Sequence, residues 1–171
     1  MEKYDFILKR RSIRNYKKNK EIPNKDIKII LEAAKKAPNP YKYKTWKLIV
    51  IKDRDLIKKI GSLNGSQNWI GSASLIVVGV IRPVKGAAKW KIVDITIALQ
   101  NLLLISEAIG YGTCWVGSFN EKNLKLLLDI PENCKILTYI TIGFKDEVPE
   151  DREYCSIQEF SFLNKWGNEI D

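Results

Sequence analysis

Seven consecutive residues, Leu75-Ile76-Val77-Val78-Gly79-Val80-Ile81, carry no polar side chain. A strand with one solvated face alternates apolar and polar residues, so this run predicts a central strand covered on both sides. The rest of the chain must then supply a layer for each face. Residues 89–109 are apolar nearly all round when laid on a helix, which predicts a helix buried by its own domain or by a second subunit. Asp94, Thr96, Gln100, Asn101, Ser106 and Glu107 interrupt that stretch, and it is too polar to be read as a transmembrane span.

Periodicity and punctuation place the other elements. Residues 2–9 read as a short helix with Tyr4, Ile7 and Leu8 on one face. Pro23-Asn24 opens a second helix, whose Ile27, Ile30, Leu31 and Ala34 follow helical spacing. Pro38-Asn39-Pro40 breaks it, residues 46–51 read as a strand, and a helix from about Asp53 stops at Gly61. Gly110 and Gly112 end the long helix, and residues 113–117 form a short strand. Asn120 caps a helix to about Leu128, and residues 136–144 form the last strand. Helices and strands alternate loosely, predicting an α+β or α/β sandwich, one domain over residues 1–171 with the sheet in the middle.

The absence of histidine removes Ser-His-Asp and Cys-His catalysis and imidazole metal sites together. Cys114, Cys134 and Cys155 stand far apart with no CxxC pair, so no metal site is expected, and idle thiols in a reducing cytoplasm are. The N-terminus, Met1-Glu2-Lys3-Tyr4-Asp5, is charged at once and lacks the apolar stretch of a secretory signal. The formal charge of +9 comes mostly from lysines spread between acidic residues, which predicts a solvated surface. Neither a nucleic-acid nor a membrane partner is expected. The run Lys42-Tyr43-Lys44-Thr45-Trp46-Lys47, where aromatics interleave with lysines, is what a single-strand binder would use.

Three stretches offer chemistry. Arg10-Arg11-Ser12-Ile13-Arg14 presents three guanidiniums and a hydroxyl suited to a phosphate, or is an ordinary basic helix end. Ala37-Pro38-Asn39-Pro40-Tyr41-Lys42-Tyr43-Lys44-Thr45-Trp46 is a turn between helix and strand. In Gly110-Tyr111-Gly112-Thr113-Cys114-Trp115-Val116-Gly117-Ser118-Phe119 the glycines permit close backbone approach and Trp115 offers a flat surface. The same run also reads as a helix cap leading into a core strand.

In this order and at this spacing the three resemble the nitroreductase family, over nearly the whole chain, with Gln100-Asn101 and Ile142-Gly143-Phe144 joining the pattern. The resemblance implies an α+β fold with a central, mainly antiparallel sheet flanked by helices. It implies FMN as cofactor and NADH or NADPH as reductant. Arg10, Arg11, Ser12 and Arg14 match the flavin stretch: Arg10 and Ser12 would hold the phosphate and ribityl chain, Arg14 the N1/O2 side of the ring. Gly117 and Ser118 match the positions whose backbone N–H groups approach N5 and O4, and Arg152 matches a phosphate contact. It also implies a homodimer in which the partner's loop, with Pro38, Asn39, Pro40 and Lys42, completes each site.

The departures are specific. The family's loop typically reads Ala-Pro-Ser-x-x-Asn-x-Gln-Pro-Trp, and here Asn39, Lys42, Lys44 and Thr45 replace its Ser, Asn, Gln and Pro. Tyr154 falls where a second basic residue is usual, and residues 64–68 occupy the region that often sends an amide to the ring edge. The implied reaction is ping-pong hydride transfer from NAD(P)H through flavin N5 to a small acceptor such as a nitroaromatic or quinone, with no side chain acting as acid or base. A protein that only binds or stores FMN is the rival reading.

Overall fold

The computed structural model describes residues 3–40, 44–63, 65, 67–84, 90–150 and 152–170. In chain order these form α1 (Asp5–Leu8), α2 (Asn24–Lys35), β1 (Trp46–Ile51), α3 (Arg54–Ser62), β2 (Leu75–Ile81), α4 (Lys91–Ala108), β3 (Gly112–Val116), α5 (Glu121–Leu127) and β4 (Lys135–Gly143). Single 3-10 turns lie at Asn68–Ser72 and Ile157–Glu159. The strands make one sheet in the order β1-β2-β4-β3, antiparallel throughout. This is the α+β architecture expected.

The apolar run is fully buried along β2, as its two-sided composition predicted. Leu75, Val77 and Ile81 pack toward α2 and α4, while Ile76, Val78 and Val80 pack on the other side against α3, α5 and the first 3-10 turn. Period-2 alternation thus feeds two cores from one strand. Gly79 sits where α4 crosses: a Cβ there would come within 2.9 Å of Leu99 Cδ1.

Several local expectations are corrected. α1 is shorter than residues 2–9, and Tyr4, Ile7 and Leu8 face solvent rather than a core of their own chain. Met1 and Glu2 lie outside the described residues, as does Lys89 at the expected start of the long helix. α3 does not stop at Gly61 but runs through it to Ser62; Asp53 caps its start by accepting the Leu56 N–H at 2.7 Å. Gly61 is there for close approach, since a Cβ would meet the Gly71 backbone nitrogen at 2.9 Å. The strand expected at 113–117 begins and ends one residue earlier.

α4 buries Ile95, Ala98, Leu99, Leu102 and Leu103 against the sheet and α2, yet leaves Trp90, Ile92 and Val93 exposed. Its polar residues are accommodated locally: Thr45 donates to Asp94 at 3.3 Å and Asn101 donates to the Ala33 carbonyl at 3.2 Å. Among the described residues no helix is long and apolar enough to cross a membrane.

The feature that matters most for the site is a glycine pair. Gly112 of β3 and Gly143 of β4 are register partners. A Cβ on Gly112 would fall 2.7 Å from Ile13 Cγ1, and one on Gly143 would fall 2.7 Å from Tyr16 Cδ1. The missing side chains are the space into which Ile13 and Tyr16, both buried, insert. G143A should therefore lower stability by about 1–3 kcal/mol, the range for overpacking a well-filled core. Urea unfolding checks this, and an unchanged midpoint would contradict the packing described.

Candidate active site

The arginine-rich stretch runs extended along the free side of β3. Ser12 and Thr113 form a parallel bridge, and the Ile13 N–H donates to the Thr113 carbonyl at 2.9 Å. Further on, Tyr16 pairs with Lys145 and the Lys17 N–H donates to the Phe144 carbonyl at 2.9 Å. The Tyr16 hydroxyl lies 2.8 Å from the Thr141 hydroxyl, inside the sheet. Burial pushes the Tyr16 phenol far above its ordinary value, with the Thr141 hydrogen bond pulling the other way. Tyr16 is a neutral structural pin.

Alternation then divides the stretch. Ile13 points inward, whereas Arg10, Ser12 and Arg14 all act on the Cys114 side chain of β3. Burial raises the Cys114 thiol, and Arg14, Ser12 and Arg10 each pull it back down. The net direction is upward, so Cys114 is a protonated, packed thiol and not a nucleophile.

Arg14 lines a cleft of about 300 Å³ together with Gln67, Trp69, Cys114, Trp115, Val116, Gly117 and Ser118. The β3–β4 ladder ends at the Val116–Tyr139 pair, so Gly117 and Ser118 lie beyond the last strand pairing and are exposed. A Cβ on Gly117 would meet nothing within 4 Å, so the space before it is open. The cleft thus combines a permanent cation, the exposed backbone of Gly117 and Ser118 past a strand end, and Trp69, while the Trp115 side chain packs toward the core on the other face of β3. A planar, anionic ligand is what such a surface can hold.

Of residues 64–68, Gln67 lines the Arg14 cleft, Asn68 lines a different cavity, and Asn64 and Ser66 lie outside the described residues. Trp69 was not foreseen, because nothing in a polar loop marks one indole for a cleft. Arg11 and Arg152 are brought together elsewhere, lining a cavity of about 450 Å³ with Glu107, Lys145, Glu147 and Tyr154. Arg152 stacks over the Tyr154 ring at 5.9 Å.

Pro38, Asn39 and Pro40 follow α2 and are not among the residues lining the Arg14 cleft. Lys42 lies outside the described residues. Two of the departures have local work: Thr45 is buried and holds Asp94, and Lys44 sits 5.4 Å over the Trp46 ring.

The fold is a four-stranded antiparallel sheet between helical layers, with an extended arginine stretch laid against its edge strand. The comparisons specify the family. The family model described as "Nitroreductase family" matches residues 7–82 and 62–144. A protein of Archaeoglobus fulgidus, provisionally named an NADH dehydrogenase/NAD(P)H nitroreductase, is 32% identical over 149 residues, 83% of this chain and 85% of the relative. The FMN-dependent nitroreductase of Clostridium difficile R20291 superposes with a TM-score of 0.81 at 27% identity, over 94% of this chain and 98% of that one. The NADPH:FMN oxidoreductase of Vibrio harveyi, solved with NAD+, shares the fold with a TM-score of 0.85 at 22% identity, over 98% of this chain and 78% of that one. The chain belongs to the nitroreductase family.

The three free cysteines give a direct check on this edge of the sheet. Cys155 is exposed, Cys134 half-buried and Cys114 buried. A thiol reagent at pH 8 should label Cys155 fastest, Cys134 more slowly and Cys114 only on unfolding. Rapid native-state labelling that persists in a C134A/C155A variant would show that Cys114 is open.

Proposed function

We propose that the chain is an FMN-dependent NAD(P)H oxidoreductase, with the flavin in the cleft of Arg14, Trp115, Gly117 and Ser118. The observation that carries the reading is that Arg14, from the stretch laid along β3 at the Ser12–Thr113 bridge, lines one cleft with the exposed Gly117 and Ser118. Family membership and the FMN and NAD(P)H in the names of the relatives support it. When bound, FMN supplies the redox chemistry, accepting a hydride at N5 from NAD(P)H and passing electrons on to a small acceptor such as a nitroaromatic or quinone.

The residues of this chain bind and orient. Arg10 and Ser12 offer donors to the phosphate and ribityl chain. Arg14 holds a permanent positive charge at the N1/O2 side of the ring, and Gly117 and Ser118 offer N–H groups to N5 and O4. No proton need be held by a side chain, in keeping with a chain without histidine. Arg152 and Arg11 stand in the neighbouring cavity, and in this reading Arg152 turns to the phosphate only when the tail that carries it is docked.

A homodimer belongs to the same proposal. The described tail exposes Tyr154, Ile157, Phe160, Leu163 and Trp166, and α4 exposes Trp90, Ile92 and Val93, an amount of open apolar surface that calls for a partner. The Arg14 cleft is also at the small end of the roughly 300–1,000 Å³ of ligand sites. A partner's loop carrying Pro38, Asn39, Pro40 and Lys42 would enlarge and close it. A two-fold interface meets these needs with one self-complementary surface. A cytoplasmic location is part of this reading.

R10A should weaken FMN by roughly 10- to 150-fold, the loss of one charge-assisted hydrogen bond. R14A should cost less binding but lower the flavin's reduction potential and slow its reduction by NAD(P)H. Full flavin retention by R10A after gel filtration, or an unchanged potential in R14A, would count against these roles. Bleaching of the yellow protein by NADH or NADPH without oxygen separates an enzyme from a flavin store. Light scattering should give a dimer, and an active, flavin-loaded monomer would refute the shared site.

A further inference from the structure

Past Gly143, residues 144–146 run antiparallel beside residues 15–17: the Lys17 N–H donates to the Phe144 carbonyl and the Asp146 N–H to the Asn15 carbonyl, at 2.9 and 3.0 Å. The Asn15 side-chain amide also donates to the Asp146 carbonyl at 3.3 Å. At the next residue the ladder gives way to a side chain. One carboxylate oxygen of Glu147 accepts the backbone N–H groups of both Arg14 and Asn15, at 2.5 and 3.1 Å.

The partnership is unusual in what it leaves alone. A carboxylate beside an arginine ordinarily takes the guanidinium. Among the described residues, no carboxylate oxygen lies within 4.0 Å of the Arg14 guanidinium. Glu147 holds the main chain of Arg14 and leaves its charged end to the cleft, where Arg14 acts on Cys114 and lines the wall with Gly117 and Ser118. Arg14 itself is exposed.

We propose that Glu147 is the positioning residue for Arg14. Its carboxylate fixes the backbone at residues 14 and 15, so that the guanidinium meets its ligand from one defined origin. A long, exposed side chain loses much rotamer freedom on binding, and anchoring its base reduces that loss. The anchor stands four residues past the end of β4, on the wall of the cavity that also holds Arg11 and Arg152. Glu147 therefore ties the backbone of Arg14 to the segment that carries Arg152. This inference rests on the flavin reading for its consequence, but not for the anchor itself.

The test is a double-mutant cycle with a readout that needs no flavin. In the flavin-free protein, E147A should speed amide hydrogen exchange at Arg14 and Asn15, and leave the Ile13 amide, held by Thr113, as in the wild type. In the loaded protein, E147A should weaken FMN by up to roughly tenfold, the ordering cost of one long side chain whose base is no longer held, and lower the reduction potential in the direction of R14A. E147Q keeps an acceptor oxygen and should bind FMN close to the wild type. In the R14A background, E147A should add no more than about twofold, the scatter of independent sites. E147D, which withdraws the carboxylate by one methylene, serves if E147A does not fold. Wild-type exchange at Arg14 and Asn15 in E147A, or an equal loss of affinity in both backgrounds, overturns the proposal. A chain that takes up no FMN yet shows the faster exchange overturns the flavin reading and leaves the anchor standing.

Discussion

The edge of the sheet depends on two side chains that are absent. Gly112 and Gly143 face each other across β3 and β4, and Ile13 and Tyr16 occupy what their Cβ atoms would fill. Ile13, Tyr16 and Ala73 form a small buried cluster of their own, with Trp69 packed against it. Because Ile13 is locked inward, alternation turns Ser12 and Arg14 the other way, onto Cys114. Trp69 belongs both to that cluster and to the cleft wall, so the packing that docks the arginine stretch also shapes the cleft. A hydrophobic contact with no chemistry of its own decides where the charges stand.

The second constraint is the two-sided centre. A strand buried on both faces requires helices on both, and the described chain supplies α2 and α4 on one side and α3 and α5 on the other. The surplus is visible at the periphery, in α1, the start of α4 and the tail, where large apolar side chains remain in water. Burying such a side chain completely from full exposure is worth about 1.5–3 kcal/mol, and each of these forgoes the exposed fraction of it. A single chain therefore leaves much of its apolar surface unsatisfied, which is the physical ground for the second subunit proposed above.

How much of this was legible in the sequence follows from the range of the forces involved. The buried run 75–81 and the helical spacing of Ile27, Ile30 and Ala34 are local patterns, and both elements stand where the pattern put them. Gly61 misled because a glycine near a helix end reads as a cap, whereas its reason lies in Gly71, ten residues on. Glu147 was invisible for the same cause: its partners, Arg14 and Asn15, are more than 130 residues away and are backbone groups. A side chain that binds main chain leaves no complementary residue type to notice. Arg10, Arg11, Ser12 and Arg14 were legible as a group only through their resemblance to a family; their spacing alone left both a phosphate site and a basic helix end open, and favoured the helix end.

The division of the arginines carries a further consequence. In an extended segment, neighbouring residues cannot serve one ligand from the same side, so Arg11 is turned from the cleft by the geometry that turns Arg14 toward it. It meets Arg152 and Tyr154 in a cavity whose wall also carries Lys145 and Glu107, already paired with each other, and Glu147. Arg152 is exposed and stacks on the exposed Tyr154 ring. Arg14 is held differently, with its backbone clamped by Glu147 and its neighbour Ile13 packed into the glycine gap. The two cations thus differ in preorganisation. The cation whose main chain is anchored belongs to the edge of the sheet, and the other to the chain that follows β4.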